Sequence, residues 1–261
     1  MLKLSAHLGY QFTETPFFER FAQAAQAGYR AIEFPAPYPY DSGHLRDLLD
    51  EHGLVMAQFS MPMGKDKEKG IAALEFRNEE FREHLKIALS YAKALDCSLI
   101  HPMAGSRAGV LYQSANWQTY CANIEFAAKT LADAGVESLI EVISPFTVPG
   151  YYMSSYDLYE ALLERLDGTP ARLLFDTYHS QNLTGDMQGC LEKWMPYIGH
   201  IQIADYPGRH EPGTGDLDFN MFFETLERNV YSGWIGCEYL PETTTSQGLH
   251  RLARYLKPSG L

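Results

Sequence analysis

Residues 171–204 read ARLLFDTYHSQNLTGDMQGCLEKWMPYIGHIQIA: a short apolar run, a polar stretch of helical length and a second short apolar run. The run 171–176 is strand-sized and ends on Asp176, residues 186–195 carry a helical pattern, and 198–204 form a second strand-sized run. Apolar runs separated by a helix are the signature of a βα unit feeding a parallel sheet. The same unit recurs in both directions. Toward the N-terminus the runs are 2–8, 29–34, 54–59, 98–103 and 136–142, and toward the C-terminus one further run covers 234–239.

Helical patterns fill the intervals. The first begins at Thr15-Pro16, with proline at the first helical position. It places Phe17, Phe18, Phe21, Ala24 and Ala25 on one face and stops at Gly28. Others run from about Ser42 to Gly53 and over 79–95, 114–134, 155–166 and 219–229, and a last one follows Ser246. Eight strands, each followed by a helix and with no linker or composition shift, predict a single (β/α)8 barrel domain over residues 1–261. A doubly wound open sheet also alternates strand and helix. The count of eight, the length of 261 residues and the lack of a Gly-rich loop after the first strand favour closure. The longest non-repetitive segment, 60–78, carries Lys65, Asp66, Lys67, Glu68 and Lys69, and reads either as a lid or binding loop or as a solvated charge run.

The apolar fraction of 46% is ordinary for a globular chain, and no run approaches the ~20 residues of a membrane span. The first residues, MLKLSAHLGYQF, lack the apolar centre of a secretion signal, so a cytoplasmic location is expected. Cys97, Cys121, Cys190 and Cys237 form no CxxC pair and suit buried thiols in a reducing compartment. A net charge of −12 argues against a nucleic-acid partner. The same charge requires that an anionic substrate be met by local cations.

Active sites of such barrels lie at the C-terminal ends of the strands. The last four strands each place an oxygen ligand there: Glu141 in SLIEV, Asp176 in LLFDT, Gln202 in HIQIA and Glu238 in IGCEY. Any one of these alone reads as a solvated strand end. Four in succession do not suit core packing, because a carboxylate is costly to bury without a partner. Three carboxylates and an amide oxygen can converge near the barrel axis, and an all-oxygen set suits Mg²⁺ or Mn²⁺ better than zinc. His179 in DTYH, where a loop is expected to leave the sixth strand, His101 in LIHPMAG, Arg209 in ADYPGRHEPGTG and His7 at the end of the first strand lie on the same face. Arg209 can pair with a substrate carboxylate through two parallel hydrogen bonds, and Arg107 in AGSRAG is a weaker candidate for that task. His200 faces the opposite side of its strand from Ile201 and reads as structural.

With these residues the chain resembles the hydroxypyruvate isomerase family, within the xylose-isomerase-like TIM barrels that include the ketose 3-epimerases. The strings HIQIAD, RHEPGTG and GWIGCEY carry the resemblance, which extends from RFAQAAQAGYRAIEF to YSGWIGCEYLPETTT. It implies that Glu141 and Glu238 are the acid/base pair, that Glu141, Asp176, Gln202 and Glu238 ligate a divalent metal, and that His179 and Arg209 contact substrate. It also implies interconversion of hydroxypyruvate and tartronate semialdehyde, small anionic hydroxy-keto acids, through a metal-stabilised enediolate. The chain departs from the family where the strand-five glutamate is usually followed by proline and Ile-Asn, since here Val142-Ile143-Ser144-Pro145 follow. That Ser-Pro pair, Ser154-Ser155 and IHPMAG are similar to a sister branch, the 2-oxo-tetronate isomerases, and His7 stands where both branches usually have asparagine.

Three other functions are open to a barrel of this kind. A ketose 3-epimerase would have histidine at Gln202. A barrel endonuclease would need a histidine-rich zinc cluster and a basic face, whereas His44, His52, His84 and His250 fall on predicted helices. A barrel that only binds metal or a sugar acid is the non-catalytic alternative. Tyr38, Tyr40, Tyr151 and Tyr152 are expected either at a homo-oligomer interface or over the active site.

Overall fold

The structure is a computed structural model that describes residues 2–65, 68–106 and 114–256. Among the described residues there are nine strands, all parallel, with helices between them except between the third and fourth: β1 Lys3–His7, β2 Ala31–Glu33, β3 Val55–Met56, β4 Phe59–Ser60, β5 Leu99–His101, β6 Glu137–Glu141, β7 Ala171–Asp176, β8 Ile198–Ile203 and β9 Trp234–Cys237. Their order is β3-β2-β1-β9-β8-β7-β6-β5-β4. The ninth strand arises because the third expected stave is two short pieces with different partners. Ala57 N–H donates to Ile32 O on one side, and Met61 N–H donates to His101 O on the other. One segment therefore joins both edges, giving eight staves in a nearly closed barrel.

The helices are α1 Glu19–Gln26, α2 Ser42–His52, α3 Asn78–Leu95, α4 Ser114–Asp133, α5 Tyr156–Leu166, α6 Thr177–Thr184, α7 Met187–Trp194, α8 Phe219–Arg228 and α9 Thr245–Gly248. Side-chain oxygens cap several: Asp41 accepts from His44 N, Ser155 from Leu158 N, Asp186 from Gly189 N and Asp218 from Met221 N. Each satisfies an amide that has no partner within its helix. Gly53 ends α2 with φ of +61°, where a β-carbon would be strained.

Two expectations are corrected. The first helix starts at Glu19 rather than at Thr15-Pro16, because the Thr15 hydroxyl donates back to Phe12 O and holds the preceding residues in turns. The chain also does not leave β7 as a loop. Asp176 accepts from His179 N at 2.9 Å and caps α6, so His179 sits in the first turn of a helix.

Alternate residues of each strand serve the two faces of the barrel wall. Ile32, Ile100, Ile140, Phe175, Ile201 and Ile235 face outward into the main apolar core beneath the helices, while Leu99, Leu139 and Leu174 form a separate cluster inside the barrel. This two-sided burial explains why the strands read as near-continuous apolar runs. All four cysteines are buried and free, as expected. The tyrosines are internal pins. The Tyr151 hydroxyl oxygen accepts from Ala104 N–H, Tyr152 is buried, Tyr38 O–H donates to Ser60 O, and Tyr40 stacks on Phe17 with ring centroids 4.6 Å apart.

Phe222 on α8 is fully buried, edge-on to Phe219 and Phe223. Truncation to alanine leaves a cavity that its packed neighbours cannot fill. Phe222→Ala is expected to cost ~3–5 kcal/mol of stability, measured as a lower urea midpoint at an unchanged slope.

Candidate active site

The inward side chains at the upper end of the barrel are almost all polar. His7 ends β1, Glu33 ends β2, Ser60 ends β4, His101 ends β5, Glu141 ends β6 and Asp176 ends β7. Gln202 lies one residue before the end of β8, and Glu238 follows β9. All are buried except Glu238, whose side chain is 15% exposed. All of them but Glu33 and Asp176 line a cavity of about 330 Å³, together with His179, Arg209 and Lys69; Asp176 reaches the site through Arg209. All eight residues singled out from the sequence come together at this mouth. Arg107 and the pair Asp66 and Lys67 lie outside the described residues.

Glu141 is the hub. Its Oε2 lies 3.6 Å from His101 Nδ1 and its Oε1 lies 3.7 Å from His179 Nε2. Ligand atoms of Glu141, Asp176 and His179 lie within 4.8 Å of one another. His179, expected to touch substrate, is thus equally placed to bind a cation. Asp176 spends Oδ1 on capping α6, and its buried Oδ2 has no hydrogen-bond partner among the described residues.

Arg209 bridges the site. Its Nη2 lies 3.6 Å from both Asp176 Oδ2 and Glu238 Oε1, and its guanidinium stacks between the rings of Tyr10 and Tyr178. Its backbone has φ of +56°, fixed by N–H donation to Asp205 O and by acceptance from Leu240 N. Asp205 explains the GTG string. Its carboxylate accepts from the amides of Tyr206, Gly213, Thr214, Gly215 and Leu217, winding the loop around one buried charge. A β-carbon at Gly215 would stand 2.0 Å from Tyr206 O, so only glycine fits.

Glu33 was overlooked in the sequence, although it interrupts the apolar run AIEF just as Glu141 interrupts SLIEV. It is fully buried one layer below the site, where His200 Nε2 lies 2.8 Å from Oε2, and Gln202 Nε2 donates to Oε1 at 2.8 Å. His200 therefore lies inside the barrel, in a structural pairing. With its amide nitrogen committed to Glu33, Gln202 turns its oxygen the other way, toward the cavity.

The electrostatics follow from packing like charges in a dry place. Burial, then the neighbouring carboxylates Glu238 and Asp176, hold the Glu141 carboxyl far above the usual range. Burial pushes Glu238 up to about 8, with Arg209 opposing and Asp176 reinforcing the shift. Burial alone lowers His101 to about 3, and burial leads in lowering His7 and His179 to about 4, so all three imidazoles are neutral at pH 7. Burial works against the charge of Arg209, but Glu238 and Asp176 outweigh it and keep the guanidinium protonated. Tyr10 is raised to about 12, first by the Glu238 charge and then by burial, and remains a phenol.

An eight-stave parallel barrel with paired glutamates over its axis is the architecture of a barrel enzyme. Residues 21–256 match the xylose isomerase-like TIM barrel family, and the chain belongs to that family. It is 35% identical to a hydroxypyruvate isomerase of Escherichia coli, covering 98% of this chain and 100% of that one. It is 39% identical to a 2-oxo-tetronate isomerase of Cupriavidus necator, covering 98% and 99%. The solved structure of an AP endonuclease, family 2, from Brucella melitensis superposes with a TM-score of 0.94 at 38% identity, covering 98% of this chain and 100% of that one. The chain is accordingly an enzyme, and its curated relatives place it among isomerases. Among the described residues no helix is long and apolar enough to cross a membrane.

Removing the Asp205 carboxylate strands five backbone donors in a partly buried loop. Asp205→Ala is expected to destabilise by at least about 2 kcal/mol and to open the 205–217 segment to limited proteolysis. Resistance equal to that of the parent protein would contradict this reading.

Proposed function

We propose that the chain interconverts a small 2-oxo-3-hydroxy acid and its 3-oxo-2-hydroxy isomer, with hydroxypyruvate and tartronate semialdehyde as the pair. The observation that carries the proposal is the placement of Glu141 and Glu238 on one cavity with neutral imidazoles beside both and a guanidinium at Glu238. The reaction moves one proton between adjacent carbons and exchanges carbonyl and hydroxyl. It needs a base on carbon, an acid, a proton relay between oxygens and compensation of negative charge.

The residues fit a divalent cation. Glu141, Asp176, Gln202 and Glu238 would hold it, with His179 as an available fifth donor. The Asp176 Oδ2 that accepts no hydrogen bond among the described residues, the Gln202 oxygen left free by Glu33 and the crowding of carboxylates support this. A bound Mg²⁺ or Mn²⁺ supplies Lewis-acid polarisation of adjacent substrate oxygens and draws the two glutamates into their ionised form. The oxygens of Glu141 face different imidazoles, so one can work as a base while the other is engaged. One glutamate removes the proton from carbon, leaving an enediolate, and the same glutamate or its partner returns a proton to the neighbouring carbon. Neutral His179, with one donor and one acceptor nitrogen, shuttles the proton between the two oxygens.

The four-carbon acid 2-oxo-tetronate offers the same reactive unit, and the 39% identity to an enzyme named for it favours testing both acids. We also read the chain as one domain acting in the cytoplasm on a small anion.

Assay of both acids is expected to show turnover of at least one, abolished by chelation and restored by Mg²⁺ or Mn²⁺. Glu141→Gln and Glu238→Gln should each lower kcat by ~10²–10⁴ while circular dichroism stays that of the parent; full activity in either variant removes that residue from the scheme.

A second test reads protons. A carboxyl whose folded value is raised binds a proton at pH 7 that a cation must displace, so metal affinity rises with pH through the Glu238 value of about 8. Calorimetry of Mn²⁺ binding in two buffers of different ionisation enthalpy should therefore give different apparent enthalpies at pH 7. Equal enthalpies would mean that the glutamates are already ionised.

A further inference from the structure

Arg209, the residue the sequence points to for a substrate carboxylate, is already held by Asp176 and Glu238 and enclosed by two tyrosines. Glu141, Asp176 and Glu238, once ionised, carry three negative charges. A divalent cation and Arg209 only balance them, so an arriving carboxylate meets no net positive charge from that set, within a protein of net charge −12. A further cation has to stand at the mouth.

Among the described residues Lys69 is the cation besides Arg209 that lines this cavity. It lines the same cavity as Glu141, His179, Arg209 and Glu238, and its charge acts on Glu238. It is exposed and, among the described residues, has neither a hydrogen-bond nor an ion-pair partner, in contrast to its neighbour Glu68, which is paired with Arg77. Its position is built rather than incidental. Lys69 has φ of +54°, and Gly70 follows at +99°. Gly70 bridges antiparallel to Ala104, its N–H donates to Met63 O, and a β-carbon there would meet Met103 O at 2.1 Å. Ala72 and Ala73 then donate to Met103 O and Ala104 O. A left-handed residue followed by a glycine pressed onto the strand-five exit fixes where this lysine projects.

We propose that Lys69 is the substrate-carboxylate anchor of this site, on the wall of the 60–78 segment, with Arg209 serving the reacting end. The inference rests on the reading of the site as one for a small 2-oxo acid. An ammonium suits this task because it can approach a mobile carboxylate from several directions without a fixed planar match. It also gives the charge cluster at 65–69 a division of labour: Glu68 ties the loop to Arg77, and Lys69 faces the ligand.

The test is a charge series at one position, Lys69→Arg, Lys69→Met and Lys69→Glu, read in two ways. The first is KM against kcat for the better of hydroxypyruvate and 2-oxo-tetronate. The second is the calorimetric Kd of D-glycerate, a carboxylate of the same length that cannot isomerise, with Mg²⁺ present. Lys69→Met is expected to raise both KM and Kd at least about tenfold with kcat changed less than about threefold. Lys69→Glu should weaken both further, and Lys69→Arg should stay within about threefold of the parent. The inference is overturned if Met and Glu leave KM and Kd unchanged, if kcat falls while KM and Kd hold, or if Arg is impaired as much as Met. Should the parent enzyme turn over neither acid, the proposed reaction fails. The glycerate series then still decides the role of Lys69 by the same criteria.

Discussion

Four carboxylates share the upper end of one barrel, and the rest of the site is arranged around the cost of burying them together. Glu33, lowest and fully enclosed, is raised by its burial, but His200 first, then His7 and Gln202, bring its carboxyl below the usual range. Glu141, Asp176 and Glu238 are not so fully compensated. Burial and mutual repulsion push Glu141 and Glu238 upward, and Arg209 opposes this for both. A buried carboxylate without full compensation is unstable unless a cation or a proton joins it. The metal site and the acid/base pair proposed above would both draw on this crowding.

The scaffold distributes the two kinds of compensation between layers. The lower layer fixes geometry, since Glu33 orients the Gln202 amide so that an oxygen faces the cavity. Loops fix the cations of the upper layer. Asp205 winds the 205–217 segment so that Arg209 reaches Asp176 and Glu238, and the pairing of Gly70 with Ala104 sets Lys69 on the opposite segment. Strands carry the buried carboxylates and loops carry the two cations that line the cavity. Barrels divide scaffold and site in just this way.

The barrel was legible because two-sided burial makes each strand a continuous apolar run, and a carboxylate at its end stands out against that background. Glu141, Asp176 and Glu238 were found by that contrast, and Glu33 carried the same mark in AIEF. Other features were not visible in one dimension. Asp176 works both as a strand end and as a helix cap, so the helix carrying His179 was read as a loop. Lys69 is one charge among five in a row, and its left-handed backbone, the neighbouring glycine contact and its place on the cavity are visible only in three dimensions. The split third stave depends on a change of partners that no local pattern records.

Membership of the xylose isomerase-like family fixes the architecture and leaves the transferred proton as the central claim. The most direct measurement is proton NMR of the metal-depleted protein with hydroxypyruvate in D₂O, before and after addition of Mg²⁺. The expected result is isomerisation that begins with the metal and places deuterium on the carbon that receives the proton, because an accessible carboxylate exchanges with solvent between removal and return. No conversion of hydroxypyruvate or 2-oxo-tetronate with any divalent metal would contradict the account, and isomer formed with only protium at that carbon would contradict return through a second, solvent-exchanged glutamate.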